Sequence, residues 1–412
     1  MRNIYAIGLA SAVALSSPAR AIDYFVDPSG ADDSYTTIQA AVDAVAGQTA
    51  TDRANIFIAP GTYNEILTVS KPYVSFVGQG ASPADVTVAF TRTPTMDATG
   101  QGEVVSIRAS ATAFMARNVT FENTTPDQNV TQALAVRSRA DKTIYDNVQF
   151  LGYQDTILID GNSRQYFTDC FITGDTDFIY GDATAVFDHC LIESTNRGYI
   201  TAANTKRTTA NGLIFLDSTL VPGTDRNELD DGTTAGDNSV FLGRPWHWYD
   251  EDTMPSVIFI RTKMDSHIRI DAWDPWNGTG DPTVDPDTDR DPHTRYSEFA
   301  PMDLASTLRP IDPVTGLPEG RVKWADAMTD DHAQHYTLDK IFGTVDFWND
   351  NPSAQPEGTG QTYLPQGDGL AWEPLAQLAL LPGVRLQGKA KKRRTSSANS
   401  SFFNAALGPG AK

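Results

Sequence analysis

Apolar residues in this chain come in short runs rich in Val, Ile, Phe and Thr, broken by Gly, Asn and Asp, with little helical periodicity before about residue 330. Ile56-Phe57-Ile58, Val74 to Val77, Val86 to Val88 and Val104 to Ile107 are examples, each with the length and β-branched content of a short strand. One exception precedes them. Thr37 can cap a helix over 37–45 whose apolar residues Ile38, Ala41, Val42 and Val45 fall on one face. The pattern predicts an all-β chain with a short helix near its start.

An internal repeat refines this prediction. Four segments align: Asn118-Val119-Thr120-Phe121, Asn147-Val148-Gln149-Phe150, Asp169-Cys170-Phe171-Ile172 and His189-Cys190-Leu191-Ile192, at intervals of 29, 22 and 20 residues. Val119, Val148, Cys170 and Cys190 share one register, and Phe121, Phe150, Ile172 and Ile192 another. A period of this size with alternating inward residues suits a single-stranded, right-handed parallel β-helix, each coil stacked about 4.8 Å above the last. A β-sandwich would need antiparallel hairpins with tight Asn-Gly or Asp-Gly turns, and the repeat does not supply them. The helix at 37–45 would then shield one open end of the solenoid.

Composition narrows the function. Hydrophobic residues at 40 % provide enough material for a core and exclude wholesale disorder. The formal charge is −20, but residues 385–412 hold seven bases and no acids, so residues 22–384 carry −29. Such a body repels nucleic acid and anionic membranes unless it hides a basic patch, and none is evident before the tail. Arg2, the apolar run Ile4 to Leu15 and the small residues ending at Ala21 match a secretory signal over 1–21. An exported protein is expected, extracellular or, in a Gram-negative host, periplasmic. Residues 351–412 shift to Pro, Gly, Ser and Gln and end in a basic cluster, Lys389 to Arg394, which reads as a largely disordered extension. Asn118, Asn123, Asn129, Asn277 and Asn399 head glycosylation sequons.

Several chemistries lack their signatures, since the chain has no GxSxG, HExxH, P-loop or CxxC. His332 and His335 form a lone HxxH in a short helix capped by Thr329, without a third ligand nearby. The alternating acids Asp285, Asp287, Asp289 and Asp291 lack the Gly and Glu of a calcium loop, and read as an extended solvated segment. The repeat points instead to Gly152-Tyr-Gln-Asp155 and Gly174-Asp-Thr-Asp177. Their aspartates lie 22 residues apart, which coil stacking turns into about one strand spacing. Two carboxylates so close divide into a protonated and an ionised member, as an acid and a nucleophile require. Two solvated turn aspartates would look the same on the pair alone. Gln154 and Gln132, another 22 residues back, could supply neutral donors to an oxyanion, Arg244 could grip a carboxylate, and Trp246 could offer a face to a sugar ring.

With these residues in hand, the chain resembles the pectin methylesterases (pectinesterases). The matching segments are TIQAA at 37–41, APGTYNE at 59–65, ARNVTFENT at 116–124 and GYQDT at 152–156. They continue with DFIYG at 177–181, LGRPW at 242–246, AWDPWNG at 272–278 and YTLDKIFG at 336–343. The resemblance implies a pectin lyase-like β-helix domain over 22–350 that removes methyl groups from C6 esters of polygalacturonan. It implies Asp177 as nucleophile, Asp155 as acid and then base, Gln132 and Gln154 as oxyanion hole, and Arg244 as the group that fixes Asp177. Trp246, with Tyr180 and Phe178, would contact substrate. Methyl-esterified homogalacturonan is the implied partner of a monomer, with no metal, organic cofactor, nucleic acid or membrane required. Cys170 and Cys190 stand where some members carry a disulfide, although a stacked reduced pair is the alternative. Leu158, Tyr180, Asp182 and Ala203 depart from the residues common in the family and bear on subsite preference. A polygalacturonase-like enzyme or a non-catalytic wall-binding solenoid are the competing functions.

Overall fold

The computed structural model describes residues 22–96, 101–126, 131–223, 235–246, 252–276 and 294–343. The signal segment, the acidic run near 285, the extension over 351–412 and the sequons at Asn129, Asn277 and Asn399 lie outside them. Every pairing between the described strands is parallel, and corresponding residues of successive coils lie side by side. Tyr145 pairs with Phe167, Phe167 with Phe187, Phe187 with Phe215 and Phe215 with Phe259. One ladder of eleven described strands runs from Ile22–Val26 to Asp326–Ala327. A second curls back on itself through Phe171–Gly181. The start of that strand pairs with Gln149–Leu151 and its end with Ile157–Ile159. The chain is a parallel β-helix, and the repeat register is the one the sequence predicts, since Phe121, Phe150, Ile172 and Ile192 are successive partners.

Coil stacking converts this register into packing. Tyr145, Phe167, Phe187, Phe215 and Phe259 form a column of rings inside the solenoid, with centroid spacings of 4.7, 4.6, 4.7 and 4.3 Å and tilts of 10–21°. Each pair contributes about 0.5–1.5 kcal/mol beyond burial. Phe187 is fully buried with a ring on either side. Phe187→Ala is therefore expected to cost about 3–5 kcal/mol, measured by denaturant unfolding. A loss under about 1 kcal/mol would mean that the column carries no load.

The aligned repeats begin at a corner. Asn118, Asn147, Asp169, His189, Asp217 and Arg261 each follow a strand and hold φ between 48° and 56°, a region that Asn and Asp tolerate best. Each backbone N–H at this corner donates to the next coil, as from Asn147 to Thr168 and from Asp169 to Asp188. Among the described residues, Asp188, His189 and Asp217 could surround a cation. Their oxygens are already engaged, however: Asp188 accepts from Tyr166 and pairs with His189, and Asp217 holds Arg261 through both oxygens.

Of the two readings of Cys170 and Cys190, the structure has the reduced pair: both are free, buried thiols. The Cys170 Sγ lies 3.4 Å from the Thr168 carbonyl and the Cys190 Sγ 3.6 Å from that of Phe167. The sequons at Asn118 and Asn123 are likewise committed to the fold. The Asn118 amide donates to the Gly80 carbonyl, and the buried Asn123 amide to those of Arg92 and Leu134.

Thr37 caps the helix Ile38–Ala44 by accepting from the Ala40 N–H, and Ile38, Ala41 and Val42 are its buried face. Gln39 closes the edge strand Leu67–Val69 with its side-chain amide, accepting from the Thr68 N–H and donating to the Thr68 carbonyl. At the far end Thr329 caps Asp330–Ala333 as predicted. His332 packs on Tyr336 while His335 Nδ1 meets the Asp331 carbonyl, and neither joins a three-ligand group among the described residues. No helix among the described residues is long and apolar enough to cross a membrane.

Candidate active site

The long strand Phe171–Gly181 changes partners midway, and its ladder is irregular between Gly174 and Ile179. Asp177 lies in that irregularity with φ 52°, and Asp155 stands one coil earlier with φ 65°. Two glycines make the close passage of the chain there possible. A Cβ on Gly152 would come within 2.5 Å of the Ala133 carbonyl, and one on Gly174 within 2.7 Å of the Tyr153 carbonyl. The Asp155 N–H donates to the Thr176 carbonyl at 3.0 Å, tying the two acid segments together. The sequence arithmetic of 22 residues holds here, because Ile157 pairs with Ile179 and Leu158 with Tyr180.

The environment separates the two acids. Burial, followed by the charge of Asp177, pushes the Asp155 carboxyl up to about 8, against the opposing pull of the Tyr180 hydroxyl and Arg244. Burial raises Asp177 as well, but Arg244 offsets this, donating from Nε and a terminal nitrogen to its two oxygens at 2.9 and 2.6 Å. The guanidinium contacts Asp177 directly and favours its charged form, whereas burial and the neighbouring acid favour the neutral form of Asp155. Arg244 is itself clamped, its Cζ 3.9 Å from the Tyr199 ring centre and 3.8 Å from that of Trp276.

Around this pair the predicted residues fall into three groups. Asp155, Asp177 and Arg244 converge. Gln154 and Gln132 are half-buried on neighbouring coils, joined by the Ala133 N–H donating to the Gln154 carbonyl at 2.8 Å. The ladder between these coils has an interval of 21, Val136 to Ile157, so the 22-residue spacing of the glutamines spans a one-residue irregularity. Trp246 is half-buried and meets Tyr180 edge-on at 5.5 Å. The third group is Phe178 alone, and here the expectation is corrected. Phe178 is fully buried in the main core and touches no cleft. Alternation from an outward Asp177 already turns Phe178 inward, and the irregularity of the strand there turns Ile179 inward as well.

Sequence reading missed three further groups. Tyr199 and Trp276 clamp Arg244, and Asp274, buried beside Asp177, accepts the Trp276 N–H at 2.8 Å. The AWDPWNG segment holds Asp274 and Trp276, while nothing in the sequence singled out Tyr199. Lys206 faces Asp182 at 3.6 Å, which gives that departure from the common Asn a charge partner. The fold also gathers Arg108, Arg137 and Arg139 on neighbouring coils, with Asp160 paired to Arg137 at 2.6 Å and Glu103 close by.

The family model described as Pectinesterase matches residues 25–286. Pectinesterase 31 of Arabidopsis thaliana is 29 % identical over 315 residues, 73 % of this chain and 86 % of that one. The Ralstonia solanacearum pectinesterase is 30 % identical over 287 residues, 58 % of this chain and 70 % of its own. Among solved structures, the pectin methylesterase PemA from Erwinia chrysanthemi superposes with a TM-score of 0.60 at 26 % identity, covering 79 % of this chain and 98 % of that one. Its shape fixes the hand of the solenoid as right-handed. With a family model over most of its length, this chain belongs to the pectinesterase family.

Proposed function

We propose that this protein is an exported, monomeric pectin methylesterase whose catalytic domain spans residues 22–350 and which hydrolyses C6 methyl esters of homogalacturonan to carboxylate and methanol. The observation that carries this reading is the stacking of two acids in different surroundings, with Arg244 on both oxygens of Asp177 and the buried Asp155 carboxyl pushed up to about 8. The Asp177 carboxylate attacks the ester carbonyl, and the side-chain amides of Gln132 and Gln154 receive the oxyanion. Collapse breaks the bond to methoxide, which takes the Asp155 proton and leaves as methanol. Asp155, now a carboxylate, draws a proton from water as the water attacks the acyl-enzyme. Asp177 is released and the Asp155 proton restored. Trp246 offers its exposed face to the sugar chain. Proton transfers and carboxylate attack complete both halves.

Methanol release from highly methylated pectin, assayed together with new reducing ends, tests the reading. Methanol without reducing ends is expected. Reducing ends without methanol would move the protein to glycoside hydrolysis, which acids about one strand spacing apart also suit. Arg244→Lys preserves charge but loses the two-pronged grip and the planar stack between Tyr199 and Trp276. Its kcat is expected to fall about 100-fold, and a value within about 3-fold of wild type would remove Arg244 from the machinery.

A further inference from the structure

We propose that Asp274 is a positioning residue: its side-chain oxygen fixes the turn that lays the Trp276 ring on the Arg244 guanidinium, and so holds Arg244 in its two-pronged grip on Asp177. The segment is anchored at its start. Trp273 is fully buried, its ring centre 4.6 Å from that of Tyr296, and the Asp274 N–H donates to the Gly243 carbonyl at 3.1 Å. Trp273 bridges Gly243 in parallel, which sets Asp274 beside Arg244 on adjoining coils. The chain then turns back. Asp274 Oδ1 accepts the Trp276 backbone N–H at 2.8 Å across Pro275, an aspartate turn whose middle residue has its φ preset by the proline ring. Trp276 sits at φ 53°, a left-handed value that costs about 1–2 kcal/mol. Such a conformation persists where its surroundings over-determine it. Two contacts do so here, the aspartate oxygen at the Trp276 N–H and the guanidinium against its ring.

The oxygen, and not the charge, is what Asp274 supplies. Burial and then, more weakly, the charge of Asp274 raise Asp177, so that charge works against a nucleophile. The benefit lies in a planar slot. Arg244 Cζ lies 3.9 Å from the Tyr199 ring centre and 3.8 Å from that of Trp276, which confines the guanidinium. Held there, its Nε and a terminal nitrogen meet the two Asp177 oxygens at 2.9 and 2.6 Å. Without the aspartate turn, Trp276 can relax from its left-handed conformation. One wall of the slot then opens, and the fork is free to tilt off Asp177.

The catalytic use of the grip rests on the esterase reading, whereas the turn and the stack do not. The experiment compares Asp274→Asn, Asp274→Ser and Asp274→Ala, in which the acceptor is kept, weakened and removed while the charge is lost in all three. In protein labelled with ¹⁵N at arginine, the Arg244 Nε–H signal, identified by its loss in Arg244→Lys, reports the grip directly. Its hydrogen exchange is expected to accelerate about 10-fold in Asp274→Ala, less in Asp274→Ser and under about 2-fold in Asp274→Asn. The kcat for methanol release should fall in the same order, by about 10-fold in Asp274→Ala. Because Asp274 acts through Trp276, Asp274→Ala should add little to either change in a protein already carrying Trp276→Ala. Asparagine behaving as alanine would make the charge the cause and overturn the proposal, as would equal exchange in all variants or additive losses in the Trp276→Ala background. Asp274→Asn against Asp274→Ser decides the question if the alanine variant does not fold. A wild-type protein that releases no methanol would instead overturn the esterase reading, and Nε–H exchange would still decide the turn.

Discussion

Asp177→Asn is expected to reduce methanol release by at least about 10⁴-fold, because an amide cannot form the acyl-enzyme and no neighbouring group can substitute for it. Asparagine is the informative replacement. Alanine would leave the clamped guanidinium of Arg244 facing empty space, and loss of one member of a largely buried ion pair costs about 3–5 kcal/mol in stability. Asparagine keeps an oxygen for that guanidinium and separates lost chemistry from lost folding. Substrate affinity, measured as pectin-oligomer binding to the variant, should change little, since Asp177 is assigned to attack and not to holding the polymer. Activity above about 1 % of wild type with an intact fold would end the assignment of Asp177 as nucleophile.

Asp155→Asn carries the second large effect, and it moves activity and stability in opposite directions. Without a proton to give to methoxide, methanol release is expected to fall about 10²- to 10⁴-fold. Stability should rise. The folded-state value for Asp155, about 8, lies above the ordinary aspartate range of the unfolded chain. For such a group the favourable contribution is complete below about pH 4 and is lost as pH climbs toward 8, because the unfolded chain ionises freely while the native one resists. Asparagine removes that loss. Thermal melts at pH 7 to 8 should therefore place Asp155→Asn above wild type, with the two converging near pH 4. A variant less stable than wild type at neutral pH would mean that the burial of Asp155 is not the strained state described.

The parts of the molecule legible in its sequence are those where each coil repeats the same chemistry. Asn118, Asn147, Asp169 and His189 were visible as a series because a left-handed corner selects a narrow set of residues, and Phe121, Phe150, Ile172 and Ile192 because an inward position selects bulk. The acid pair was legible for the same reason, since its spacing equals the ladder interval between Leu158 and Tyr180. What escaped depended on local backbone or on distance along the chain. The resemblance alone places Phe178 at the cleft, whereas alternation from an outward Asp177 turns it into the core. Tyr199 and Trp276 lie 45 and 32 residues from Arg244 in sequence, and only stacking brings all three together. Register also made Cys170 and Cys190 legible as a stacked pair, while their oxidation state was not legible, and both are free thiols.

Between Asn147 and Asp217 the corner residues recur at 22, 20 and 28 positions, whereas the next turn, to Arg261, takes 44. The shortest windings are those that carry Asp155 and Asp177, so these leave the least slack in the path joining one acid to the other. Chain added in the longer windings would leave the spacing of the two acids unchanged. An engineer seeking new selectivity would graft excursions after residue 217 and leave the stretch from 152 to 177 at its natural length.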